Sequence, residues 1–149
     1  MEFSNLLGTV ISMLGQSKFG ILTTIDEEGF PHSRWMTPTA LGRTNGAIYA
    51  VTADNLAKAR QVRANPKVAW GFQSRDLGAV ACLRGLARLV VDPLLAAEVL
   101  ESIGPNLGVF WRLSGDPRRL VVLETKVKQI SLFNSVTLEH FEAEAGHAV

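Results

Sequence analysis

Apolar residues near the start of the chain recur at steps of three and four: Phe3, Leu6, Leu7, Val10, Ile11 and Leu14. That spacing gathers them on one side of a helix and predicts an amphipathic helix at the N-terminus. Glu2 stands where a secretory signal would carry lysine or arginine, so the segment reads as a helix and not as a targeting sequence. The period then shortens towards two. In "GILTTIDEEGFPHSRWMTP" a β-branched run, a polar break ending in Gly29 and a second extended run predict a hairpin, with Gly29 supplying the positive φ of its turn. Pro31 cannot donate to a ladder and belongs at the start or free edge of the second strand.

Asn45-Gly46 is a two-residue turn signal leading into a third strand, "AIYAVT". Residues 54–64 predict a short helix with Asp54 as its cap, stopped near Asn65 because Pro66 drives its predecessor out of the α region. "KVAWGF" is a fourth strand in which Val68, Trp70 and Phe72 share an inward face. "AVACLRGLARLVVD" is long for one strand, and Gly85 at its middle predicts a bulge or bend. Asp92 as cap, Pro93 at the first helical position and Gly104 past the end bracket another helix, with Leu95, Val99 and Ile103 on one stripe. "LVVLETKVKQISLFN" supplies one or two closing strands, and residues 139–149 read as a polar, frayed tail. Short antiparallel runs with helices at their edges predict an α+β fold, an antiparallel β-barrel with flanking helices, formed as one domain over residues 1–138.

Charge narrows the function. Fifteen basic residues against fourteen acidic ones leave a net charge of +1, which gives no global attraction for nucleic acid or anionic lipid. No apolar run is long enough for a membrane helix. Cys82 is the one cysteine, so no internal disulfide can form; it reads as a small core residue of an apolar strand, and the usage fits the cytoplasm. His32, His140 and His147 lack metal-ligand spacing, and no G-x-S-x-G, Walker or G-x-G-x-x-G motif occurs.

Within this balanced chain, Lys58, Arg60, Arg63 and Lys67 fall in ten positions. Thr52 ends a strand and Lys58 lies in the first turns of the following helix, so a hydroxyl, backbone amides and an ammonium can converge on one anion. The alternative is that Lys58, Arg60 and Arg63 solvate the outer face of a short helix.

The order of these elements resembles the flavin-binding split-barrel family of pyridoxamine 5'-phosphate oxidases and general stress proteins, over roughly residues 3–135. The resemblance is carried by Arg34 in the second strand, Thr52 at the end of the third, Lys58 six residues on, Asn65-Pro66 closing the helix, and Gly85 with Ala87 in the long strand. It implies a homodimer of split barrels with FMN in clefts at the subunit interface and a small-molecule substrate. Arg34, Trp35, Met36 and Thr37 would lie along the flavin ring, with Arg34 and the Thr52–Lys58 segment on its ribityl and phosphate oxygens. Lys58 becomes the expected phosphate ligand, and Arg60 and Arg63 stay in solvent. Trp111, with Arg112, would cover a flavin ring contributed by the other subunit, or else pack in the core or dimer contact; Trp35 faces the same choice.

Two departures separate this chain from the oxidases. They carry arginine directly before the lysine, where this chain has Ala57, and they close with an arginine-rich segment that is missing after residue 135. The general stress protein branch is the closer likeness. An FMN-dependent oxidoreductase is therefore the leading expectation; the alternatives are a reductase of the same fold using the deazaflavin F420, and a flavin-binding stress protein without turnover.

Overall fold

The computed structural model describes residues 2–42, 46–104 and 120–146. Three helices, α1 (Phe3–Ser17), α2 (Ala57–Ala64) and α3 (Pro93–Ile103), accompany seven strands: β1 (Gly20–Ile25), β2 (Pro31–Met36), β3 (Ala47–Ala53), β4 (Lys67–Gln73), β5 (Ala79–Val90), β6 (Leu120–Asn134) and β7 (His140–Glu144). All pairings are antiparallel, in the order β2-β1-β4-β5-β6-β3, and β7 also pairs with β6. Just past β2, Thr39 bridges Tyr49 of β3 through two backbone hydrogen bonds of 2.7 and 2.8 Å. The two ends of the strand order are thus tied by a single bridge, and the result is the α+β antiparallel barrel that the pattern predicts, in the split form that the resemblance implies.

The long strand β6 organises the sheet. Along one edge it pairs with β5; along the other it pairs with β3 over Leu120–Lys126 and with β7 over Gln129–Phe133. The β5–β6 register slips at Arg84/Gly85, leaving Lys128 unmatched, and this irregularity lies where the far edge changes from β3 to β7. Gly85 is required there by close approach. A Cβ would sit 2.3 Å from the Lys126 carbonyl oxygen and 2.9 Å from Thr125 Cγ2.

Two cores follow from strand parity. Leu22, Val68, Trp70, Leu83 and Ile130 fill the barrel with Leu6, Val10 and Leu14 of α1. Trp70 stacks on Phe72 with centroids 5.9 Å apart, and its indole N–H donates to Thr125 Oγ1 at 3.0 Å. Burial of such aromatic surface dominates core energetics, and the indole keeps a partner. β3 is buried at every position because its two faces serve different cores. Ile48 and Ala50 point into the barrel, while Tyr49 and Val51 meet Val99 of α3. Asp92 caps α3 by accepting from the Leu94 and Leu95 amides, Pro93 follows, and Gly104 ends it at φ +61°, as the sequence predicts. The Gly29 turn (φ +89°) and Pro31 at the start of the edge strand β2 agree as well. Gly46 has φ +76°, and Asn45 lies outside the described residues.

Three expectations are corrected. Residues 140–144 do not fray: β7 finds hydrogen-bonding partners on the β6 edge that β3 vacates at the bulge. α2 begins at Ala57 with Leu56 as an extended cap that makes no side-chain bond, so Asp54 is not its cap. Cys82 is exposed, because β5 alternates and Ala81 and Leu83 take the inward positions.

Gly85→Ala should destabilise the protein by about 1–3 kcal/mol, since the added methyl meets a backbone carbonyl that cannot yield without shifting β6. Gly71→Ala, on β4 with nothing within 4 Å of its Cβ position, should stay within about 0.5 kcal/mol. Urea denaturation of the two variants measures both; equal losses would refute the close-approach argument.

Candidate anion site

β2 is an edge strand whose inward positions are shared with β1. Arg34 lies opposite Leu22 and His32 opposite Thr24. Leu22 and Thr24 are fully buried, so Arg34 aims across the barrel rim towards α2. Arg34 Nη1 donates to Thr24 Oγ1 at 2.7 Å and to the Leu22 carbonyl at 3.3 Å, and Nη2 donates to Gln61 Oε1 at 3.2 Å. The Thr24 hydroxyl donates in turn to Gln61 Oε1 at 2.5 Å.

Lys58 stands on the same helix, three residues before Gln61, and three-residue spacing places both on one helix face. Burial pushes its ammonium below the usual lysine range, and the neighbouring Arg34 charge lowers it further. Burial also lowers Arg34 from its ordinary value. Neither cation forms an ion pair among the described residues, where the ion pairs join other groups. Two like charges, half-withdrawn from water and held together without a carboxylate, raise the free energy of the unliganded protein and favour an anion. Thr52, the expected third member, is a buried polar residue of β3. It shares the inward parity of Ile48 and Ala50, it is fully buried, and its Oγ1 has no hydrogen-bond partner. A buried hydroxyl without a partner is costly and calls for a ligand or water. Thr52 sits on the strand that feeds α2, four residues before the Leu56 cap.

Other expected positions divide. Met36 is buried in the barrel core. Trp35 points to the opposite face and is 66% exposed. Thr37 lines a separate pocket of about 220 Å³ with Lys18, Thr39 and Ser102. Trp111 and Arg112 lie outside the described residues. Arg60 is exposed and shares a cavity of about 240 Å³ with Asp26, Glu27 and Glu28. Arg63, expected to be merely solvated, donates to the Asp54 carbonyl at 3.2 Å. His32 binds Asp26 at 2.7 Å, and that contact leads the causes that hold the Asp26 carboxyl below the usual range. Thr24 and Gln61 were not foreseen. The signal for Thr24 is a polar residue at an inward strand parity, and that for Gln61 is its three-residue offset from Lys58.

Residues 9–134 match the family described as pyridoxamine 5'-phosphate oxidase, and the chain belongs to that family. No curated protein sequence matches it. Among solved structures it is similar to a pyridoxamine 5'-phosphate oxidase candidate from Listeria innocua, at 29% identity and TM-score 0.68, over 87% of this chain and 99% of that one. General stress protein 26 of Bacillus anthracis str. Sterne shares the fold at 22% identity and TM-score 0.68, over 93% and 96%. An F420 reductase does so at 22% identity and TM-score 0.63, over 80% and 94%. No helix among the described residues is long and apolar enough to cross a membrane.

The depressed Lys58 has a stability consequence. A lysine whose folded pKa lies below its unfolded value is penalised in the fold at every pH where it stays charged, neutral pH included. That penalty is lost as pH rises through the folded pKa towards the unfolded one, so stability climbs in that window. Lys58→Met should therefore stabilise the ligand-free protein at neutral pH by about 0.5–2 kcal/mol, whereas Arg60→Met should change it by less than about 0.5 kcal/mol. Chemical denaturation in phosphate-free buffer tests this, and a destabilised Lys58→Met would show that the ammonium is already compensated.

Proposed function

We propose that this protein binds FMN by its phosphate at the Arg34–Lys58 corner and acts as an FMN-dependent oxidoreductase on a small molecule. The observation that carries the reading is the pair of half-buried cations, Arg34 and Lys58, that no carboxylate pairs among the described residues. Arg34, Lys58 and Thr52 would hold the phosphate, and the isoalloxazine, when bound, supplies the capacity to accept and pass on reducing equivalents. The chain contributes binding, orientation and local charge. F420 is the alternative, supported by the similar F420 reductase fold. Its phosphate is a diester with one charge, whereas the FMN monoester approaches two at neutral pH and is the better counterpart of two cations.

Oxidation of a B6 phosphate is not the reading favoured. Ala57 stands before Lys58, and no arginine follows residue 135.

The reading includes a homodimer. Trp35, Val80, Leu86 and Phe133 are exposed on strands whose other faces line the barrel, at 66%, 46%, 43% and 39%. A second copy covering that outward face would remove a broad apolar surface from water. Burial above about 2,000 Å² in total is the range of obligate homodimers. Light scattering at micromolar concentration should give a dimer, and a flavin-loaded monomer would sink this part of the proposal.

Lys58→Ala should weaken FMN about 10- to 150-fold, the equivalent of one charge-assisted hydrogen bond. Riboflavin, lacking the phosphate, should bind as before. Fluorescence-quenching titrations of both ligands into wild type, Lys58→Ala and Arg60→Ala decide the matter; parallel losses of FMN and riboflavin would misplace the phosphate.

A further inference from the structure

We propose that Gln61, together with Thr24, is the positioning residue that keeps Arg34 both fixed and electrically uncompensated, and so sets the charge of the anion site. The inference rests on the reading that an anion occupies this corner.

Thr24 is fully buried and Gln61 is 8% exposed, on elements 37 residues apart. Burying two polar side chains costs free energy unless they are satisfied. They satisfy each other and Arg34 in a closed triangle. Arg34 only donates, so the amide must present its oxygen, and Gln61 Oε1 accepts from Arg34 Nη2 and from the Thr24 hydroxyl. Thr24 Oγ1 accepts from Arg34 Nη1. The second Nη1 hydrogen serves the Leu22 carbonyl. Among the described residues, Nε–H and one hydrogen on Nη2 are left of the five guanidinium hydrogens. Those two form the side-on fork that grips phosphate with two parallel bonds.

Every acceptor in the triangle is neutral. A glutamate at position 61 has nearly the same shape and would accept the same two donors, yet it would cancel the Arg34 charge. The amide holds the guanidinium without discharging it. Gln61 also lies one turn beyond Lys58, so its bond to Arg34 holds the helix carrying the second cation against the first. One side chain thereby fixes the separation of the two charges.

Gln61→Glu and the acceptor-free Gln61→Met separate charge from geometry, in the full chain with FMN, riboflavin and inorganic pyrophosphate as probes. Gln61→Glu should weaken FMN by about 10-fold or more while raising the melting temperature of the ligand-free protein, because the new carboxylate pairs with Arg34. Gln61→Met should weaken FMN by a smaller factor and lower the ligand-free melting temperature. Riboflavin should bind all three proteins alike. Affinity and stability moving in opposite directions in Gln61→Glu is the signature that a merely structural glutamine would not give. Unchanged FMN affinity in Gln61→Glu, or equal losses of FMN and riboflavin, would overturn the proposal. If wild type binds no FMN, the flavin reading fails by itself; the proposal then stands only if pyrophosphate still raises the melting temperature of wild type and not of Gln61→Glu, and falls otherwise.

Discussion

The close contact between Gly85 and the Lys126 carbonyl is the constraint on which the rest of the fold depends. With no Cβ at position 85, β5 comes close enough to β6 for the register to slip by one residue at Lys128. Such a slip bends a strand and increases its twist. The far edge of β6 is divided at that point, β3 taking one half and β7 the other. The placement of β3 decides where Thr52 and the start of α2 fall. From there α2 carries the chain from β3, at one end of the strand order, to β4 in its middle, packing against β1 and β5 as it crosses. The Arg34–Gln61 contact is thus a late consequence of an early steric fact.

The site retains strain that the fold elsewhere avoids. Arg88, on the outward face, has Glu124 at 2.7 Å, which raises its pKa above the ordinary value. Asp26 has His32 and two backbone amides. At the Arg34–Lys58 pair the described structure brings two like charges together and pairs neither with a carboxylate, and it does so where solvent is partly excluded. Low local dielectric makes an unpaired charge expensive and a matching ligand effective for the same reason. Unmet electrostatic need in the ligand-free protein is what a ligand would relieve.

Local signals made much of this legible in the sequence. The helix ends at Asp92, Pro93 and Gly104, the Gly29 turn and the three-to-four spacing of α1 each depend on residues a few positions apart, and each was readable. Lys58 could be singled out by type and spacing, and Arg34 by the family resemblance. What escaped depends on distant pairing. Residues 140–144 look like a polar tail until β6 offers an open edge. Cys82 looks like core until the parity of Ala81 and Leu83 is known. Asp54 looks like a cap until a turn from Ala53 to Leu56 takes it up ahead of α2. Thr24 and Gln61 are unremarkable in isolation and meaningful only as a pair, 37 residues apart in the chain.

The alternation of β2 explains why one dipeptide serves two purposes. Arg34 and Trp35 are adjacent in sequence, yet the pleat sends them to opposite faces: the guanidinium towards α2, the indole out beyond the sheet. A single ligand cannot meet both side chains within one subunit unless it wraps around the edge of the sheet. β2 is that edge, with β1 on one side and, among the described residues, no strand on the other. A phosphate held by Arg34 would leave the rest of its molecule free to run past the open side of β2 towards the face that carries Trp35. In the proposed dimer that face is also where the second copy would pack, and a ligand anchored in one subunit would then lie against both. The edge position of β2 thereby sets the guanidinium of the inner corner and the exposed indole outside on adjacent residues of one open strand.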